Sequence, residues 1–280
     1  MTTRNGIIIS CPGQEEHFLR GAAKDVKNIY NYLTSPRGGA WKKHEIFSLN
    51  NPTWPEVKRL LARHTADYQF IYFAGHGFSD KTRKRFLSFK DQSVEDIRLL
   101  THNKKQLIIL DSCRAEYAAI SGIPPADGIY SRFTGESDAR IAFDNAIRNS
   151  KDGKTIVCAT MHNTIAEEER YGRGGAFTLS LLVTAKNFRT GVDLWPVMIT
   201  DLLPAVIKTL LSQGYNQIPD VPYKGGDLRV PFLIDTEELT LEENSQNEEL
   251  IYEKVPSEPT LFKLIALAFI VIAIIRGFKN

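Results

Sequence analysis

Between residues 6 and 234 short, fully apolar runs alternate with segments of helical period, and this alternation restricts the chain to a sheet covered by helices on both faces. The first run, Gly6 to Cys11, holds three consecutive isoleucines and stops at Pro12-Gly13. From Gly21 to Leu33, the residues Ala22, Val26, Ile29, Tyr30 and Leu33 recur at helical spacing, and Ser35-Pro36 with Gly38-Gly39 end that helix. The pattern predicts strands over His44–Leu49, Phe70–Ala74, Leu107–Leu110, Thr155–Ala159 and Leu228–Ile234. It predicts helices over Trp54–Arg63, Val94–Leu100, Ala176–Lys186 and Leu194–Leu211. Strands buried on both faces and separated by helices give an α/β fold with a mainly parallel sheet, whose sites collect at the carboxyl ends of the strands.

Composition sets the remaining bounds. The chain has 280 residues, 42% of them hydrophobic, which suits one sizeable domain and an appendage. A formal charge of +2 provides no global field for nucleic acid, so none is expected as a partner. Cys11, Cys113 and Cys158 are odd in number and form no CxxC pair, which fits a reducing compartment. No metal-ligand spacing is visible, no cofactor is read, and calcium activation is not legible. The N-terminal apolar run is too short for a secretory signal, which places the globular part in the cytoplasm.

After residue 235 the character changes. Residues 236–260 form an acidic linker with Glu237, Glu238, Glu242, Glu243, Glu248, Glu249 and Glu253. Leu264 to Ile275 is then uninterruptedly apolar, and residues 261–278 make 18 residues, about 27 Å as a helix. Lys263 and Arg276 sit where their stems can snorkel. The expectation is a globular domain over 1–235 and a single-pass C-terminal membrane anchor over 261–278.

Two predicted strand ends carry chemistry: Phe70-Ile-Tyr-Phe-Ala-Gly-His-Gly77 and Leu107-Ile-Ile-Leu-Asp-Ser-Cys-Arg114. Glycines around His76 allow a sharp turn that presents the imidazole at the sheet rim. Cysteine-based amide hydrolysis needs a nucleophilic sulfur and an imidazole that moves its proton, roles that Cys113 and His76 can fill. The backbone N–H groups of Gly77 and Cys113 are the candidate oxyanion donors. Along a strand, residues two apart share a face, so Asp111 is expected beside Cys113 and turned toward substrate.

YFAGHG followed by LDSCRA resembles the histidine and cysteine blocks of the caspase/metacaspase clan. Leu19-Arg-Gly-Ala-Ala-Lys-Asp25, Gly172-Arg-Gly-Gly-Ala-Phe-Thr178 and Gln217-Ile-Pro219 resemble further blocks of that clan, so the likeness covers about residues 6 to 234. LDSCRA departs from both the caspase cysteine signature and the double-cysteine form common in metacaspases. The separase-related CHAT proteases share an AGHG-like block but neither LDSCR nor the first-helix motif.

The resemblance implies a caspase-like fold with a six-stranded sheet and a cysteine endopeptidase acting on protein or peptide substrates. It implies that Asp25 and Asp111 line an acidic pocket selecting cleavage after Arg or Lys. Arg20 lies in the segment from which caspases take an arginine that binds substrate aspartate, and Arg114 follows the nucleophile; either would reverse that preference. The implied setting is cell death or antiviral defence, with an activating small signal molecule or partner protein. A catalytically inactive caspase-fold scaffold assembling partners at a membrane is the alternative.

Two loops complete the reading. Arg114 to Lys154 spans an insertion with Ser121-Gly-Ile-Pro-Pro125, a short helix near Ser137–Asn149, and Arg132, Arg140 and Arg148 as cleavable basic sites. Lys81-Thr-Arg-Lys-Arg85 is a basic run that offers contact with an anionic group.

Overall fold

The computed structural model describes residues 2–13, 18–114, 136–227 and 229–236. Its centre is a six-stranded sheet in the order β10-β8-β7-β3-β1-β2, built from β1 (Arg4–Cys11), β2 (Ile46–Asn50), β3 (Tyr68–Gly75), β7 (Lys105–Asp111), β8 (Gly153–Cys158) and β10 (Asp220–Gly226). All neighbours are parallel except β10, which runs antiparallel to β8. The α/β architecture with a mainly parallel six-stranded sheet expected from the sequence is therefore present.

Alternation along the apolar runs divides the core. Ile8, Tyr72 and Ile109 point to a face covered by α1 (Arg20–Thr34), α3 (Glu136–Asn149), α4 (Ala176–Asn187) and α5 (Ile199–Ser212), through Ile29, Phe143, Leu181 and Val206. Ile7, Ile9, Phe73 and Ile108 point to the other face, against Trp54, Val57 and Leu61 of α2 (Trp54–Arg63). Each such side chain contributes about 1.5–3 kcal/mol when fully buried. The α2 start is set locally: Thr53 and Glu56 form a capping box and Pro55 stands in the first turn.

That second face also carries a small antiparallel sheet of β4 (Gly77–Ser79), β5 (Arg85–Ser88) and β6 (Ser93–Glu95). Here the expected helix over Val94–Leu100 is corrected: residues 93–95 are strand and only Asp96–Leu99 turn, as a 3-10 helix. The apolar spacing came from Val94 and Leu99 packing from two different elements. Leu194–Leu211 likewise divides into β9 (Trp195–Met198) and α5.

The expected final strand is β11 (Pro231–Asp235), but it pairs with β9 outside the main sheet. The sixth strand is instead β10, Asp-Val-Pro-Tyr-Lys-Gly-Gly, whose proline and glycines read as breakers and are tolerated because it is an edge. Arg140 and Arg148 lie on α3 and are tied to Glu45 and Thr2, so they are not loop sites for cleavage. Residues 115–135, with Arg132, and the linker and tail expectations over 237–280, lie outside the described residues. Among the described residues no helix is long and apolar enough to cross a membrane.

Candidate active site

At Gly75, the last residue of β3, a side chain has no room. A Cβ would stand 2.3 Å from the Cys11 carbonyl oxygen at the end of β1. His76 follows, half-buried, its N–H donating to that oxygen at 3.3 Å and its C=O accepting from Ser88 N at 3.0 Å. Gly77 then lies so close to the cysteine loop that a Cβ would come 2.8 Å from Ser112 Oγ. The Ser88–His76 bond makes Gly77 and Leu87 a non-hydrogen-bonded pair of the β4–β5 ladder, so the Gly77 N–H points away from β5.

The nucleophile candidate leaves the sheet at the same level. Ala74 of β3 pairs in register with Asp111 of β7, and His76 and Cys113 each stand two residues beyond that pair. Neighbouring strands run about 4.8 Å apart, so the two candidate residues follow adjacent strand ends at the same level. The Cys113 Sγ donates to Ala166 O at 3.6 Å. Burial, then the carboxylates of Asp111 and Glu168, push this thiol up from its ordinary value. Cys11 and Cys158 are buried and pushed up to about 12, so neither competes as nucleophile.

Asp25 and Asp111 are brought together, yet neither faces solvent: they are 2% and 7% exposed. Asp25 accepts the Gly175 N–H through both oxygens, at 2.8 and 3.0 Å. Asp111 Oδ2 accepts Thr178 N–H at 3.3 Å and Thr178 Oγ1–H at 2.6 Å, and Tyr72 O–H in turn reaches Thr178 Oγ1 at 2.6 Å. Helix α4 has no cap from its own sequence, so Asp111 caps it from across the sheet. Burial raises Asp25 well above the ordinary carboxylate range, Asp111 adds to that rise, and burial raises Asp111 itself to about 6.

Asp111, expected to be turned to substrate, is therefore covered in this structure. A strap over residues 168–175 lies on the acid pair so closely that a Cβ on Gly174 would be 2.2 Å from Asp25 Oδ1, and one on Gly175 2.3 Å from Asp111 Oδ2. Glu168 anchors the same strap by accepting the Gly21 N–H at the start of α1, at 2.8 Å. Two glycines in succession let backbone reach carboxylates that any side chain would hold off.

Of the two arginines that could reverse the preference, Arg20 is exposed at the first residue of α1. Arg114 is buried, donating to Thr160 O at 2.8 Å and Asp220 Oδ2 at 2.9 Å, which holds it away from the cleft. Of the basic run, Arg85 turns inward onto Asp96, while Lys81, Arg83 and Lys84 stay exposed on a turn closed by Asp80. Sequence reasoning missed Glu168, Thr178 and Tyr72; the Gly174-Gly175 pair ahead of a helix was the one local signal of the strap. Among the described residues no cluster of three or more His, Cys, Asp or Glu could hold a metal ion.

Residues 7–223 match the family model of the caspase domain. The chain belongs to the caspase-domain family. Its members are cysteine-type peptidases, and this caspase-domain protein is placed among them as a hydrolase. Its fold is similar to the crystal structure of caspase-1 from Spodoptera frugiperda, with a TM-score of 0.54 and 15% identity over 85% of this chain and 92% of that one. No curated protein matches the sequence.

Proposed function

We propose that this caspase-domain protein is an endopeptidase that cleaves after Arg or Lys with Cys113 as nucleophile and His76 as base. The observation that carries the reading is the register of β3 and β7, which sends both residues out from adjacent strand ends beside a buried pair of carboxylates. His76 takes the Cys113 proton, the sulfur attacks the scissile carbonyl, and the N–H groups of Gly77 and Cys113 receive the oxyanion. The imidazolium then protonates the departing amine, and water hydrolyses the thioester. A substrate guanidinium or ammonium would replace the Gly175 N–H on Asp25 and reach Asp111 beside it once the strap lifts, offsetting two buried like charges.

Burial holds the Cys113 thiol above its ordinary value and the acids are covered, which on this reading makes the arrangement a resting one. That same observation favours the second reading, a scaffold with a retained but unused dyad. Purified protein and fluorogenic peptides differing only in the residue before the scissile bond decide between them. Turnover of the Arg peptide, lost by about a thousandfold or more in both Cys113→Ala and His76→Ala, is the expected result. No turnover in the wild type, or an Asp peptide cleaved faster, overturns the proposal.

The tether belongs to the same proposal and rests on the sequence of residues 261–278 alone. It places the peptidase on a membrane facing the cytoplasm, where a death or defence effector triggered by a signal molecule or partner would act. Recovery of the full chain in a carbonate-washed soluble fraction would refute it.

A further inference from the structure

The two edges of the six-stranded sheet are built differently. β10 carries Pro222, Lys224, two glycines and a register shift between Asp220 and Tyr223, devices by which an edge resists pairing with another chain. β2, Ile-Phe-Ser-Leu-Asn, has no proline, charge or bulge, and it pairs with β1 without a break from Gly6 and Ile46 to Ser10 and Asn50. Asn51 N–H donates to Ser10 O at 2.7 Å. By alternation Phe47 and Leu49 also turn their backbone groups to β1, and those of Ser48 and Asn50 face outward. Among the described residues no strand takes them up.

Beside this open edge lies a groove of about 320 Å³ lined by Leu49, Leu60, Arg59, Arg63, His64 and Glu56. Leu49 and Leu60 give it an apolar floor, and the His64 ring is held 4.3 Å from that of Phe47 on β2. The one carboxylate of the lining is already committed, since Glu56 accepts from Thr53 N and Oγ1, both at 2.8 Å. Lys42 and Lys43 shortly before β2 and Lys58 on α2 are exposed, while Glu45 is bound by Arg140. The edge is therefore cationic as well as open.

We propose that β2 is a docking edge for an extended acidic segment of a partner protein, which adds a strand to the sheet, sets alternate apolar side chains on Leu49 and Leu60, and brings carboxylates to Arg59 and Arg63. Main-chain pairing supplies affinity in this mode and the groove supplies selection. Charge complementarity chooses the occupant. A second copy of the chain would bring one cationic edge against another, which the same charges oppose.

The test uses the full chain and a fluorescein-labelled peptide of alternating valine and glutamate, which holds no Arg or Lys and is no substrate of the proposed peptidase. Anisotropy is expected to saturate below about 1 mM. Affinity should fall about tenfold or more in Arg59→Glu/Arg63→Glu, and equally when the peptide is N-methylated at alternate residues, a change that leaves the protein untouched. Ser48→Pro, checked for an unchanged circular dichroism spectrum, should also lose binding. Absence of saturation, equal binding of the N-methylated peptide, or equal binding of a valine-lysine peptide overturns the proposal. So does a dimer by sedimentation that Ser48→Pro dissociates, because the edge would then belong to a second copy.

Discussion

At the scale of single residues, the chemistry turns on which titratable groups are covered and by what. Cys113 is the one half-exposed thiol of the three, so iodoacetamide should modify it alone, and more slowly than free glutathione because its thiol is pushed up. Peptide mass mapping after brief alkylation at pH 7.5 checks both points. The acid pair makes a prediction with a defined sign. Asp25 and Asp111 are raised above their unfolded values, Asp111 to about 6, so the folded state binds protons more tightly. Their contribution to stability is greatest below the unfolded carboxylate value and is lost as pH rises through about 6. Asp25→Asn keeps an acceptor for Gly175 and removes one buried charge. It should raise Tm at pH 7.5, by about 2–4 °C per kcal/mol relieved, with little gain at pH 4; a lower Tm at both values would contradict this account.

Among the elements, the strap between β8 and α4 covers the acid pair. It is held at both ends, where Glu168 takes the Gly21 N–H and Asp25 of α1 takes the Gly175 N–H, while Asp111 of β7 takes the Thr178 N–H of the α4 turn that follows. Gly175→Ala would set a methyl 2.3 Å from Asp111 Oδ2 and must lift the strap. Faster deuterium uptake over residues 168–178 and faster alkylation of Cys113 are expected together; an unchanged rate at both would show that the strap does not cover the thiol. The β3 end is less forgiving. Gly75→Ala meets the rigid Cys11 carbonyl at 2.3 Å, and urea unfolding should report a loss of about 1–3 kcal/mol.

For the molecule as a whole, a few buried arginines join segments far apart in the chain. Arg37 donates to Ala185 O at 3.1 Å, Phe188 O at 2.6 Å, Thr236 O at 3.0 Å and Asp235 Oδ1 at 3.4 Å, tying the end of α1 to α4 and β11. Arg37→Ala leaves three carbonyls and a carboxylate without their donor and should cost about 3–5 kcal/mol. Arg37→Lys should recover only part, since one ammonium cannot span the fork. Equal stability of wild type and Arg37→Ala in guanidinium unfolding would mean water replaces the donor. Arg4 plays the corresponding part for α3, bonded to Asp144 and Gly39 O with its guanidinium over Trp41 and Phe143.

What the residues determine on their own is whatever depends on a run of neighbours. The isoleucines of β1, the helix spacing of α1, the capping box of α2 and the glycines bracketing His76 all act within a few positions, and each was legible as written. Five of the six sheet strands follow from them, and with those strands the positions of His76 and Cys113 just past the ends of β3 and β7. The sixth strand, the β4–β6 sheet and the departure of β11 depend on which distant partner a short segment finds, and no local period records that. The acid pair is the sharpest case. Spacing along β7 predicts that Asp111 shares a face with Cys113, but whether that face meets water or the amides of Gly175 and Thr178 is set by a strap more than sixty residues away. Burial is a property of contacts between remote segments, so the charge state of the site, unlike its residues, belongs to the tertiary structure.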